Sequence, residues 1–73
     1  MERERKMTRE KVRELIIKYK EDGFDRMDIE IKGGKVININ ENDNLSFNPN
    51  FIVIMGKGYV FRIGYNFIEG IAI

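Results

Sequence analysis

The side chains that could carry chemistry are few in this chain. Its 73 residues include no Cys and no His, which excludes thiol nucleophiles, imidazole acid–base groups and ordinary zinc fingers. Ser46 is the one serine and Thr8 the one threonine, and neither has a histidine to activate it. The carboxylates of the second half are Glu41, Asp43 and Glu69, and their spacing singles out no acid–base pair. We therefore expect a protein that is not an enzyme and uses no cofactor.

Two segments look superficially like ligand-binding loops. Residues 38–50 contain six of the seven asparagines, but they lack the ligand order, the central Gly and the terminal Glu of a calcium loop. Residues 56–58 read Gly-Lys-Gly, which superficially resembles a phosphate loop, yet strand-forming residues follow where such a loop needs a helix. We interpret the first segment as a polar strand face running into turns and the second as a hairpin turn, and we expect no metal site.

The best candidate binding residues lie in the last third of the chain. Aromatic side chains that stack on bases, accompanied by a few cations, are the parts of single-stranded nucleic-acid sites. The candidate set is Lys57, Tyr59, Arg62, Tyr65 and Asn66. Because strand side chains alternate, Tyr59 and Phe61 share one face and Arg62 takes the other, so one subunit can bring only part of the set to one ligand. The interpretation we favour places Phe61 in the core, both tyrosines at its rim and Arg62 in solvent.

A helix over residues 8–22 begins the fold that must position these side chains. Val12, Leu15, Ile16 and Tyr19 follow the spacing of one helical face. The hydroxyl of Thr8 is suited to cap the N-terminus, and a Gly after residue 22 is suited to the left-handed position that ends helices. We expect Leu15 and Ile16 to be buried against a sheet.

After the helix the hydrophobic period changes to two, which is typical of half-buried strands. Short strands separated by Gly-, Asn- and Pro-containing turns are predicted over residues 27–32, 35–40, 45–47, 51–55, 59–63 and 67–73. The pattern predicts an α+β domain: an N-terminal amphipathic helix packed on a small, strongly bent antiparallel sheet or half-barrel of five to six strands. We expect one domain over residues 8–73, preceded by a charged, disordered arm over residues 1–7.

Composition and charge restrict the setting in which the protein works. The chain is 42% hydrophobic and 34% charged, too apolar for a disordered tail and too charged for a membrane protein. Its first seven residues carry five charges and lead into no apolar run, which is unlike a signal peptide. We therefore expect a cytoplasmic protein without a membrane partner. A net charge of +1 provides no global field to attract nucleic acid.

Residues 51–55 are apolar on both faces of their predicted strand. An antiparallel sheet with one wet face normally alternates apolar and polar residues, and a bare apolar edge invites aggregation. We therefore expect a homo-oligomer that assembles through the C-terminal strands. The function that we favour from the residues is a small, non-catalytic, oligomeric interaction module that binds a protein partner.

One family resemblance supplies an alternative function. Residues 29–36 after the helix, the Ser-Phe-Asn of residues 46–48 ahead of the apolar strand, and residues 62–66 resemble the motifs of the Sm-like RNA-binding barrels over residues 8–73. The glycine that bends the long second strand of that family is replaced here by residues 38–40, Asn-Ile-Asn. The resemblance implies a ring oligomer that binds single-stranded RNA, with Asn48, Arg62, Gly64 and Asn66 near the base pockets.

Overall fold

The computed structural model describes residues 7–73 and contains one helix and six strands. The elements are α1 (Arg9–Glu21), β1 (Met27–Ile31), β2 (Lys35–Ile39), β3 (Asn44–Phe47), β4 (Phe51–Gly56), β5 (Tyr59–Gly64) and β6 (Ile68–Ala72), with a 3₁₀ turn at Tyr65–Phe67. The predicted α+β class is therefore confirmed. The arm predicted over residues 1–7 lies outside the described residues except for Met7, which packs against the core.

Helix α1 has the ends that its sequence predicts. The backbone N–H of Lys11 donates to Thr8 Oγ1 at 3.2 Å, and Gly23 takes a φ of +93° just after the helix, so both ends are capped. Ile16 is buried as expected, but the prediction for Leu15 was wrong: Leu15 is half-buried and the second buried position is Val12. The buried stripe is centred one residue away from Leu15, which therefore lies at its border.

The strands form two three-stranded antiparallel sheets, in the orders β2-β1-β6 and β3-β4-β5. The prediction was one bent sheet, and the difference arises between β2 and β3. There Asp43 N–H donates to the carbonyl of Asn40 at 3.1 Å, and Asn40 N–H donates to Asp43 Oδ2 at 2.9 Å. These bonds close a turn at which the chain leaves the first sheet and enters the second.

The core lies between the two sheets and is closed at one side by α1. Its buried members come from the helix, from both sheets and from the 3₁₀ turn: Val12, Ile16, Met27, Ile29, Ile39, Ile52, Ile54, Ile63, Tyr65, Ile68 and Ile71. Full burial of an isoleucine side chain contributes about 1.5–3 kcal/mol, so this Ile-rich cluster supplies most of the driving force for folding. The core thereby holds β4 and β5 in fixed positions.

The first hairpin differs in detail from its sequence signal. Gly33 and Gly34 predict a two-residue turn, whereas β1 and β2 are joined by a three-residue loop in which Gly34 N–H donates to the carbonyl of Ile31 at 3.1 Å. Both glycines have positive φ, +93° and +87°, which other residues adopt at a cost. The register of the pair still opposes Ile29 to Ile37, so the apolar residues stay on one face.

Candidate binding surface of the C-terminal strands

Strand β5 separates the predicted binding residues into two groups. Tyr59 begins β5 and Tyr65 follows its last residue, so roughly 20 Å of extended chain lies between them at 3.3 Å per residue. Lys57 is exposed in the β4–β5 turn beside Tyr59. Arg62 and Asn66 are exposed toward the other end. The structure therefore does not bring the five residues together around one ligand.

The first group is a hydrogen-bonded cluster at the start of β5. The hydroxyl of Tyr59 donates to Asp43 Oδ1 at 2.6 Å and accepts from Asn40 Nδ2 at 3.3 Å. A Cβ on Gly56 would overlap the Tyr59 ring, so only glycine leaves room for it there. The cluster joins the β4–β5 hairpin to the turn between the two sheets, which gives Tyr59 a structural role.

The second group is built around Tyr65, whose ring is buried. The Tyr65 hydroxyl donates to the carbonyl of Asn48 at 2.7 Å, and its backbone N–H donates to the carbonyl of Asn50 at 3.3 Å. These bonds fix the β3–β4 turn against the chain that follows β5. Tyr65 borders the cleft beside it but is only 5% exposed, so its ring offers too little surface for a base to stack on.

Both tyrosines are held in their neutral form. The hydrogen bond to the Asp43 carboxylate raises the pKa of Tyr59 above its ordinary value, because the phenol can donate that bond only while it keeps its proton. Burial raises the pKa of Tyr65, because desolvation disfavours the phenolate. Neither phenol is therefore poised to act as a nucleophile or base near neutral pH.

Arg62 lies on the outer face of the second sheet. Its guanidinium carbon is 5.0 Å from the centre of the Phe51 ring, a cation–π contact worth about 0.5–1 kcal/mol at an exposed site. Phe61, on the other face, is 39% exposed rather than part of the core. It borders an open gap against β2, lined also by Val36 and Asn38, because no hydrogen-bonded ladder joins β2 to β5.

An open cleft of about 730 Å³ lies beside the second group. The β3–β4 turn contributes Pro49 and Asn50, the start of α1 contributes Arg9, and the 3₁₀ turn contributes Asn66. Glu10 also lines the cleft, and its carboxylate pairs with the Arg9 guanidinium at 3.4 Å. The amides of Asn50 and Asn66 are the uncharged groups there that can hydrogen-bond to carbonyls and base edges. Sequence reasoning found Asn66 but missed Asn50 and Arg9, which only the folded chain brings near it.

The outer edge of β5 has no strand partner within residues 7–73. Gly56 and Tyr59 flank a two-residue loop and pair directly, so they form the hydrogen-bonded pair that closes the hairpin. Alternation then points the backbone N–H and C=O groups of Val60, Arg62 and Gly64 away from β4, and no further strand of residues 7–73 pairs with them. The sequence predicted an edge of this kind only indirectly, because residues 51–55 are apolar on both faces of their strand.

Comparison with protein-family models, with curated proteins and with solved structures finds no match for this chain. Within residues 7–73 no helix is both long and apolar enough to cross a membrane, and no three acidic side chains converge as metal ligands.

Proposed function

We propose that the protein is a small, non-catalytic module that assembles with further copies of itself through its C-terminal strands and in that form binds a protein partner. The observation that carries this proposal is the outer edge of β5, whose backbone groups have no strand partner within residues 7–73. Such an edge readily accepts an extended strand from another chain, and the main-chain hydrogen bonds supply affinity.

The side chains along this edge support the proposal. Val60 is 64% exposed and Met55, directly opposite it on β4, is 44% exposed. Exposed edges usually carry charges or Pro that discourage pairing. The single charge on β5 is Arg62, and its guanidinium lies over Phe51 instead of extending along the edge. The edge therefore combines unpaired backbone with apolar side chains.

A lysine at the centre of the exposed pair tests this proposal. Val60→Lys adds a charge that strand pairing would have to desolvate, so we expect the self-association constant to fall by roughly tenfold or more. Sedimentation velocity across the micromolar range measures it. Ile17→Lys, which places the same charge on a helix residue that is 38% exposed, is the control and leaves association unchanged. A wild-type chain that stays monomeric throughout would contradict the proposal.

A second function, single-stranded RNA binding by an Sm-like oligomer, is favoured by one specific observation. The two hydrogen bonds of Tyr65 tie the Asn48–Asn50 turn to the segment that carries Arg62 and Asn66. The family resemblance implies base pockets in these same two segments. The exposed Arg62 guanidinium can bind a phosphate, and the amides of Asn50 and Asn66 at the cleft can bind base edges, which supports this function.

Salt dependence of RNA binding distinguishes the two functions. Each phosphate neutralised on a single strand contributes about −0.7 to the slope of log affinity against log salt. If the second function holds, Arg62→Ala weakens binding of a short, mixed-sequence RNA and flattens that slope by about one phosphate. Lys57→Ala, in the turn at the far end of β5, is the matched control. Absence of measurable RNA binding at physiological salt, with self-association intact, leaves the protein-binding function alone.

A further inference from the structure

Strands β5 and β6 each form one of the two outer edges of their sheet, the others being β3 and β2, and the edges of β5 and β6 differ in how they are protected. β6 pairs with β1 and has no second strand neighbour within residues 7–73. Lys32, which follows β1, donates its N–H to the carbonyl of Phe67 at 2.9 Å. Because backbone hydrogen-bonding groups alternate in direction along a strand, the even-numbered residues of β1 direct their N–H and C=O groups toward β6. Ile71 opposes Ile29, an odd-numbered position, and must therefore direct its own backbone N–H and C=O to the outer edge.

The outward carbonyl of Ile71 is already occupied. The hydroxyl of Tyr19, in the last turn of α1, donates to it at 3.3 Å. Two further contacts hold the Tyr19 ring in place: an edge-on contact with Phe24, with ring centres 6.4 Å apart, and the backbone bond from Phe24 N–H to the Tyr19 carbonyl at 3.0 Å. No side chain within residues 7–73 makes an equivalent bond to the outward backbone groups of β5.

We propose that Tyr19 guards the β6 edge against strand addition, so that self-association uses β5 freely and β6 only after the tyrosine hydroxyl has left the Ile71 carbonyl. The inference rests on the proposed function, because it concerns which edges a second copy can use. A carbonyl can accept two hydrogen bonds, but the Tyr19 hydroxyl occupies the outward side of this one, where the backbone of an arriving strand would have to lie. Covering an edge with a helix is one way in which proteins limit unwanted pairing.

Removing the hydroxyl alone tests the guard. Tyr19→Phe keeps the ring and its contact with Phe24 but frees the Ile71 carbonyl. Loss of one competing hydrogen bond is expected to raise the association constant about fivefold. Lys20→Ala, which changes an exposed side chain in the same helical turn, is the control and leaves association unchanged. Sedimentation velocity gives the constants, and amide exchange by NMR reports whether the outward N–H of Ile71 becomes protected on assembly.

Stronger association of Tyr19→Phe, together with protection of the Ile71 amide in its assembled form, supports the guard. Equal association constants for Tyr19→Phe and wild type, with wild type associating, overturn it while leaving the proposed function standing. A gain in association without protection of Ile71 also overturns it, because the gain would then arise away from β6. If wild type and both variants are monomeric throughout, the proposed self-association fails and the guard fails with it.

Discussion

Two adjacent isoleucines of α1 allow the packing of the helix on the sheets to be tested with one chemical change. Ile16 is 2% exposed and Ile17 is 38% exposed, yet both lie in the same helical turn. Replacement by Ala removes the same three carbon atoms at each position. At Ile16 the transfer cost of those carbons is about 2.4 kcal/mol at 0.8 kcal/mol each, and the cavity left behind brings the total to about 3 kcal/mol.

That loss is large for a domain of this size. At 0.05–0.15 kcal/mol per residue, 73 residues correspond to a stability of roughly 4–11 kcal/mol. Each 1 kcal/mol shifts the melting temperature of a small domain by about 4–8 °C, so Ile16→Ala is expected to melt ~12–24 °C below wild type. Ile17→Ala loses only the partial burial of a side chain that is 38% exposed and gains helix propensity, so it is expected to cost about 1 kcal/mol, clearly less than Ile16→Ala.

Thermal and urea unfolding followed by circular dichroism measure both variants. The protein concentration is kept at the lowest that the signal allows, because self-association would raise the apparent stability. Equal losses for the two variants would refute the packing described here, since the helix would then present no distinct buried face. A loss at Ile17 larger than at Ile16 would place the opposite face of the helix against the core.

Three further expectations concern the tyrosines that fix the candidate surface. Gly56→Ala forces the Tyr59 ring from its place and should lower the free energy of unfolding in urea by about 1–3 kcal/mol. Gly70→Ala should cost less, because the nearest neighbour of the added Cβ is the movable end of the Glu30 side chain. Tyr65→Phe loses the 2.7 Å bond to the Asn48 carbonyl and should cost about 1–2 kcal/mol; an unchanged urea midpoint would contradict a fixed β3–β4 turn. Folding raises the pKa of Tyr59 and of Tyr65. Their contribution to the free energy of unfolding is therefore complete below the pKa of the unfolded chain, about 10, and is lost as the pH rises through the higher pKa values of the folded protein. The free energy of unfolding from urea titrations should therefore fall as the pH is raised above about 10, and it should fall less steeply in Tyr59→Phe. An identical pH dependence for that variant would refute the role of Asp43.

The parts of the fold that depend on neighbouring residues could be predicted from the sequence. The helix ends follow from Thr8 and Gly23, and the alternation of residues 27–31 defines β1, because capping and strand patterning act over a few residues. The division into two sheets could not be predicted, although the turn that Asn40 and Asp43 close was expected between the second and third strands. Whether two strands then pair beyond such a turn is decided by packing between distant segments.

The candidate site shows the same division between local and distant effects. The sequence correctly placed Tyr59 and Arg62 on one strand, but it could not place Tyr65 in the core or Asn50 beside Asn66. Those positions depend on the β3–β4 turn meeting the chain after β5, a contact between residues 15 to 17 positions apart. An aromatic residue next to a polar one gives no local signal that distinguishes a buried ring from a stacking surface.

Amide hydrogen exchange in β5 at increasing protein concentration tests the central claim most directly. In β5 the N–H groups of Phe61 and Ile63 face β4, whereas those of Val60 and Arg62 face outward. If copies assemble through this edge, exchange at Val60 and Arg62 slows as the concentration rises, while exchange at Phe61 and Ile63 changes little. Rates at Val60 and Arg62 that stay fast and independent of concentration, in a sample shown by sedimentation to be oligomeric, would contradict assembly through β5.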